Sequence, residues 1–294
     1  MNEIGMHDRF TSGKDIRLSE GLYCMNIAII TGASSGIGEQ YLRQIARQGP
    51  TFGRQQLDEI WAVARRADKM EVLQRELDPI RIRIFQKDLS TRESMKDMQD
   101  VLQAEKPTIR LLVHCAGVGK TGLFETHAQE EIHAMIALNC SALSELTSIC
   151  LPYMIPAGDL CTYRDGPRIL HVASSAGFLP QPGFAVYAAS KAYVIHFSRA
   201  LQAELRRHNI GVTTVCPGPV DTDFVAIASG KTGAKPKGIK AFFIVKPEGL
   251  VRSSLRAAEK GRGLYVYGFS QKVLHVLSKL LPARLFTALV ARSV

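Results

Sequence analysis

The chain lacks the cysteine patterns of metal and redox folds. Its six cysteines (Cys24, Cys115, Cys140, Cys150, Cys161 and Cys216) form no CxxC and no ligand-spaced cluster, so no metal site is expected. Several lie in apolar runs, where a free thiol behaves as a small core residue. A reduced, cytoplasmic protein is the natural reading. The start also lacks the apolar stretch that export requires, since Met1 to Gly21 is polar and charged. Residues 1–24 therefore read as a loosely ordered N-terminal extension. There is no long linker and no internal repeat. The apolar tail from Lys272 to Val294 is broken by Lys279, Pro282 and Arg284, too interrupted for a transmembrane segment. Finally, the net charge of +10 comes with no zinc-finger spacing, basic zipper or aromatic-basic strip. The basic residues read as dispersed, and no nucleic-acid partner is expected. A phosphorylated cofactor or an acidic substrate accounts for part of the charge more economically.

What is present is a chain of 294 residues, 46% hydrophobic and 22% charged, enough to bury a substantial core. Short apolar, β-branched runs alternate with longer helical patterns. Strands are expected at 26–31, 60–64, 82–86, 110–114, 168–172, 211–215 and 263–266. Helices are expected at 37–48, 69–77, 93–103, 128–151, 187–208 and 247–259. That alternation predicts an α/β fold, one doubly wound domain over 25–294 with a mostly parallel seven-stranded sheet flanked by helices. Two segments depart from it. Residues 221–246 hold glycine, proline and five lysines (Lys231, Lys235, Lys237, Lys240, Lys246) and read as a long loop. Residues 272–294 read as an amphipathic element, open to three dispositions: packing over a cleft, a subunit contact, or a membrane surface.

The chemistry concentrates in YAASK. Tyr187 and Lys191 are four residues apart and share one face of a helix, and Ser174 lies 13 residues before Tyr187. A free phenol has a pKa of about 10, and a nearby ammonium favours the phenolate. A serine hydroxyl can fix the oxygen that the tyrosine protonates. Such a group suits carbonyl reduction, or alcohol oxidation in reverse.

A second constellation lies between the first strand and the first helix, in TGASSGIG. Gly32, Gly36 and Gly38 let main chain approach a pyrophosphate, whose charge meets the N–H groups of the helix start. Many glycine strings are plain turns, but this strand–helix context favours a Rossmann-type dinucleotide site. The second strand ends in AVARR, with Arg65 and Arg66 where an NAD-selecting protein favours a carboxylate. Guanidinium groups suit a 2′-phosphate, so NADP(H) is favoured over NAD(H).

With these residues assembled, the chain resembles the short-chain dehydrogenase/reductase family from Met25 to about Val266. The resemblance implies cofactor contacts from Gly32, Ser34, Ser35, Gly36, Ile37 and Gly38 in TGASSGIG. It implies others from Asp88 and Leu89 near adenine, from Ala116 and Gly117, and from Pro217, Gly218, Val220 and Thr222 in CPGPVDT. Asn139 in ALNCSAL, Ser174, Tyr187 and Lys191 match the family's catalytic tetrad, and the last two also touch the cofactor. One departure is HCAG, where the family commonly has NNAG. His114 and Cys115 replace both asparagines, and His114 reads as a structural histidine; Ser175, one residue off the spacing, also reads as structural.

The implied activity is NADPH-dependent interconversion of a hydrophobic ketone or aldehyde and its alcohol. Hydroxysteroids and 3-oxoacyl compounds both fit. Phe178, Leu179, Pro180 and Phe184 are expected to form one wall of the cleft, and Val220, Phe224 and Val225 another, although core packing explains such aromatics equally well. The lysine-rich loop is a candidate lid, or simply a solvated segment. By resemblance, the long helices holding Asn139 and Tyr187 would pair across a homodimer or homotetramer. The rival readings are a protein that senses NADPH without turnover and an interaction scaffold.

Overall fold

The structure is a computed structural model that describes residues 25–48, 51–52, 55–229, 244–280, 282, 284 and 287–288. The expected N-terminal extension, four of the loop lysines (Lys231, Lys235, Lys237 and Lys240) and much of the C-terminal tail lie outside the described residues.

In chain order the elements are β1 (Asn26–Thr31), α1 (Gly36–Arg47), β2 (Thr51–Phe52), β3 (Gln55–Gln56), β4 (Glu59–Ala64) and α2 (Ala67–Glu76). Then follow β5 (Ile82–Gln86), α3 (Arg92–Glu105), β6 (Thr108–His114), α4 (Gln129–Ile136), α5 (Leu143–Cys150), α6 (Ile155–Asp159) and β7 (Arg168–Val172). The chain continues with α7 (Ala185–Leu205), β8 (Gly211–Cys216), α8 (Asp223–Ser229), α9 (Pro247–Glu259), β9 (Leu264–Val266) and α10 (Phe269–Leu280). Seven strands form one sheet in the order β5-β4-β1-β6-β7-β8-β9, every pairing parallel. All seven expected strands are present, with ends shifted by no more than two residues.

A parallel sheet covered on both faces needs strands that are apolar throughout, and β1 and β4 are. Their alternation divides the core. Ala28 and Ile30 join Tyr41, Leu42 and Ile45 of α1 and Leu250 and Leu255 of α9 on one side. Ile27 and Ile29 join Met98 and Leu102 of α3 and Leu146 of α5 on the other. Strand order reverses between β1 and β6, so their carboxyl ends open a crevice with no crossover above it. The site lies there.

Four features refine the sequence expectations. β2 and β3 form a separate two-stranded antiparallel pair. The expected helix 128–151 is α4 and α5 joined through a π-helical turn, Ala137–Ala142. The long loop 221–246 contains α8, and its base is clipped: Asp221 N–H donates to the Val245 carbonyl (3.0 Å) and Val245 N–H to that of Pro219 (3.1 Å). The amphipathic tail starts earlier than residue 272, as α10. One described helical stretch, Gln129–Tyr153, is long and apolar enough to cross a membrane by length and composition alone, yet its Asn139, Leu146, Thr147 and Cys150 are buried in this fold.

Candidate active site

The glycine loop works because it has no side chains. A Cβ on Gly32 would sit 2.8 Å from the Ala116 nitrogen, and one on Gly38 would sit 2.2 Å from the Gly32 carbonyl oxygen. Gly36 adopts φ +58°, a left-handed conformation that favours glycine. Ser35 precedes α1 but makes no side-chain capping bond, leaving the first-turn N–H groups facing the crevice without that acceptor. Thr31 ties the loop to the next strand: its hydroxyl accepts from the N–H groups of Cys115 and Ala116, each at 3.1 Å. The main-chain path of HCAG is thereby held.

The two arginines diverge. Arg66 reaches back over the loop, donating from Nη2 to Ser35 Oγ at 2.6 Å and to Ser34 Oγ at 3.4 Å. Arg65 faces Asp88, with Nη1 3.9 Å from Oδ2. The Ser90 hydroxyl, more than Arg65, holds the Asp88 carboxyl below the usual range.

On the other side of the crevice, β7 ends in a tight turn. Ser174 caps it, its Oγ accepting from Ala176 N–H at 3.1 Å. Tyr187 lies in the first turn of α7 and Lys191 one turn later, and both are buried. Lys191 Nζ donates to the Val172 carbonyl at 2.9 Å and lies 5.7 Å from the centre of the Tyr187 ring. Phe184 stacks on that ring at 4.3 Å, and Phe224 of α8 lies at 5.5 Å. Burial pushes the Tyr187 phenol up to about 12, opposed by a hydrogen bond with Ser174. Burial brings the Lys191 ammonium down to about 8. Desolvation thus dominates the phenol, and the opposing effect comes from Ser174 where a pull from Lys191 was expected. At neutral pH Tyr187 carries its proton.

Asn139 stands behind this group. It is 1% exposed, accepts at Oδ1 from Val118 N–H (2.9 Å), and donates from Nδ2 to the Val118 carbonyl (2.8 Å) and to Ser190 Oγ (3.0 Å). Ser190 in turn donates to the Tyr187 carbonyl. The side chain thus locks the β6–α4 loop against α7, and the π turn carries it there; π turns recur at functional sites. No feature of ALNCSAL announced that turn.

His114 is structural, as expected. Thr147 Oγ1 bridges His114 Nε2 (3.1 Å) and His171 Nε2 (3.3 Å), and His171 Nδ1 pairs with Ser198 Oγ at 2.7 Å. Burial lowers the His114 imidazole to about 3 and that of His171 well below the ordinary value, so both are neutral. This chain bonds the sheet interior to α5 and α7 where NNAG amides are absent. Ser175 is buried in the turn, its N–H donating to the Pro217 carbonyl, and it too borders the crevice.

Between the glycine loop and α7 lies a cavity of about 820 Å³. Gly32, Ser34, Ser35, Gly36, Ile37, Gly38, Arg65, Arg66, Asp88, Leu89, Ala116, Gly117, Pro217, Gly218, Val220 and Thr222 line it, and so do Ser174, Tyr187 and Lys191. Asn139 does not, although a Cβ on Gly117 would meet its Oδ1 at 3.0 Å. Of the expected substrate walls, Phe184, Val220 and Phe224 line the cavity. Phe178 instead packs on His275 of α10 (4.5 Å between rings), Leu179 is buried in the turn, and Pro180 is exposed. None of these three lines the cavity, because the turn Ser175–Phe178 packs onto α7 and carries the chain away from it. The side chain of Val225 lies outside the described residues.

Sequence reasoning missed Gln181, Leu138, Ala228, Gln271 and Leu274, which also line the cavity. The last two come from α10. Their spacing with His275 and Ser278 marks one helix face, a signal legible only once the helix is known to start at Phe269.

The donor set and the glycine-lined cradle fit a dinucleotide. The model of the short chain dehydrogenase family matches residues 26–231. The chain belongs to the short-chain dehydrogenase/reductase family, a family of oxidoreductases. It is 32% identical over 196 residues to Nodulation protein G of Rhizobium sp. (strain N33), covering 66% of this chain and 73% of that one. It is 30% identical over 249 residues to the very-long-chain 3-oxoacyl-CoA reductase of Coccidioides immitis (strain RS), covering 82% of this chain and 63% of that relative. Among solved structures, the short-chain dehydrogenase from Sphingobium yanoikuyae in complex with NADPH aligns with TM-score 0.69 and 26% identity, covering 82% of this chain and 87% of that one.

Proposed function

We propose that the chain is an NADPH-dependent reductase of hydrophobic ketones or aldehydes. The observation that carries this reading is the meeting of Ser174, Tyr187 and Lys191 at one cavity wall opposite the glycine loop. In this reading the loop from Gly32 to Gly38 and the first turn of α1 hold the pyrophosphate, and Asp88 and Leu89 flank adenine. Ala116, Gly117, Pro217, Gly218, Val220 and Thr222 line the nicotinamide end. Ser34, Ser35 and Arg66 form a ready 2′-phosphate cradle, supported by their mutual hydrogen bonds. When bound, the dinucleotide supplies the hydride.

The protein's own work is positioning and proton transfer. Ser174 fixes the carbonyl oxygen, and Tyr187 donates its proton to that oxygen as negative charge develops there. Protonation of Tyr187 through neutrality favours the reductive direction. Lys191 holds the nicotinamide ribose and leaves a cation beside the phenol. Asn139, its side chain engaged with Val118, keeps the loop in place and serves a water relay only through its main chain. Phe184, Phe224 and Leu274 give the remaining space an apolar lining, which suits a hydrophobic substrate.

Within that class the 3-oxoacyl reading is favoured over the hydroxysteroid one. It has the support of the 30% identical reductase of Coccidioides immitis and of the lysine-rich stretch 231–246, which suits an anionic carrier. The free cysteines at 115, 140, 150, 161 and 216 suit a cytoplasmic setting. Exposed Ile136 and Tyr193, on the helices of Asn139 and Tyr187, suit self-association into a dimer or tetramer.

The test follows NADPH absorbance with steroid, 3-oxoacyl and small aromatic ketones, in wild type and Tyr187→Phe. Turnover is expected to fall about 10²–10⁴-fold in the variant while NADPH binding persists. Equal turnover in both would remove Tyr187 from the mechanism. Tight NADPH binding with no wild-type turnover would favour the sensing alternative.

A further inference from the structure

Helix α10 has two faces. Gln271 and Leu274 turn into the cavity, and His275 packs on Phe178. The opposite side is apolar and open: Phe269 is 83% exposed, Val273 41%, Val276 54%, Leu277 37% and Leu280 73%. At about 100° per residue these five fall within an arc of about 100°, the width of a face that a helix normally buries. Lys272 and Lys279 fall along one border of that arc, where their stems can lie on an apolar boundary and their ammonium groups reach outwards.

The charge along this end of the sequence is one-sided. Residues 1–230 hold 24 basic and 25 acidic side chains, whereas residues 231–294 hold 13 basic and 2 acidic, and none of the latter follows Glu259. The basic residues are dispersed, as the sequence suggested, but the acidic ones are nearly absent after residue 230. Residues 231–294, which include α10, therefore carry +11 and the rest of the chain −1. Two copies meeting through this face would bring two such cationic segments together, which disfavours self-association there. An anionic surface with an apolar layer beneath it matches both properties.

We propose that the outer face of α10 docks on an anionic lipid bilayer, with the inner face closing the cavity from the membrane side. The apolar stripe enters the boundary between headgroups and chains, and Lys272 and Lys279 meet lipid phosphates. This assignment rests on α10 and on the charge of residues 231–294, and stands independently of the substrate.

The test is co-sedimentation of the full chain with vesicles of equimolar phosphatidylcholine and phosphatidylglycerol, and with pure phosphatidylcholine vesicles. Wild type is expected to bind the anionic vesicles, with at least about tenfold loss on raising salt or on removing the anionic lipid. The double variant Val276→Glu/Leu280→Glu and the charge reversal Lys272→Glu/Lys279→Glu should each lose binding by at least about tenfold. Leu160→Glu, at a residue 76% exposed just after α6, should bind like wild type. Retained NADPH binding marks each variant as folded. Failure of wild type to bind the anionic vesicles overturns the proposal, and so does binding by Val276→Glu/Leu280→Glu equal to wild type. A wild-type dimer in analytical ultracentrifugation that this variant abolishes, with no vesicle binding, overturns it in favour of a second copy.

Discussion

At the nucleotide end of the cleft the walls are main chain, whereas at the substrate end they are side chains from segments far apart in sequence. Gly32, Gly36 and Gly38 create a surface by omission; a Cβ on Gly32 or Gly38 would meet backbone atoms that cannot yield, and one on Gly36 would meet the Thr222 side chain. Phe184, Phe224 and Leu274 come from three different elements and meet the cavity through rotatable groups. Main chain admits few variations in shape, so the first end tolerates little change. Side chains repack, so the second can be adjusted one contact at a time.

Four substitutions or conditions sharpen that contrast. The largest effect is expected for Gly38→Ala. Its Cβ would press on the Gly32 carbonyl, costing about 3 kcal/mol, the upper part of the overpacking range. Denaturant titration should report the loss, with weaker NADPH binding beside it. Unchanged stability would mean the loop is more pliable than its contacts imply.

Next comes Arg66→Glu, which replaces the guanidinium beside Ser34 and Ser35 with a like charge for a phosphate. Losing charge-assisted hydrogen bonds of about 1.5–3 kcal/mol should shift the NADPH-over-NADH preference by about 10–100-fold, read from kcat/KM with each cofactor. An unaltered preference would move the 2′-phosphate site elsewhere, with Arg65 the next residue to change.

A third prediction concerns acid. His114 is held neutral by burial, with a folded pKa of about 3 against about 6.5 when unfolded. Between those values the unfolded chain binds more protons, so stability falls as pH drops from about 6.5 towards 3. Its slope reaches about 1.4 kcal/mol per pH unit for that histidine, and His171 adds in the same direction. His114→Gln should flatten the dependence in denaturant titrations across that range. An equal slope in the variant would assign the acid sensitivity to other groups.

The smallest effect belongs to the substrate end. Leu274→Ala removes one half-buried wall of the cavity and should change KM by about two- to tenfold, with the melting temperature nearly constant. A large loss of stability would make α10 part of the core and not an adjustable wall.

How much could be read beforehand follows the same division. Apolar β-branched runs located all seven strands, because a strand buried on both faces has little choice of composition. TGASSGIG and YAASK were legible since each packs its geometry into eight residues or fewer. The π turn at Ala137–Ala142, the inward face of α10 and the Thr147 bridge between His114 and His171 were not legible. Each depends on a partner more than twenty residues away, or on a small adjustment of helical winding that composition does not encode. Phe178 illustrates the error this produces: its position between Ser174 and Tyr187 suggested the cleft, but the tight turn sends it to His275.

The sequence by itself determined the class of fold, the glycine cradle and the spacing of Ser174, Tyr187 and Lys191, because these follow from local periodicity and from spacing along short stretches. Only the tertiary structure decided the protonation of Tyr187, the engagement of Asn139 with Val118 and the opposite uses of the two faces of α10. Those depend on burial and on contacts across the sheet, and neither desolvation nor a neighbour from another strand is a property of any short stretch of chain.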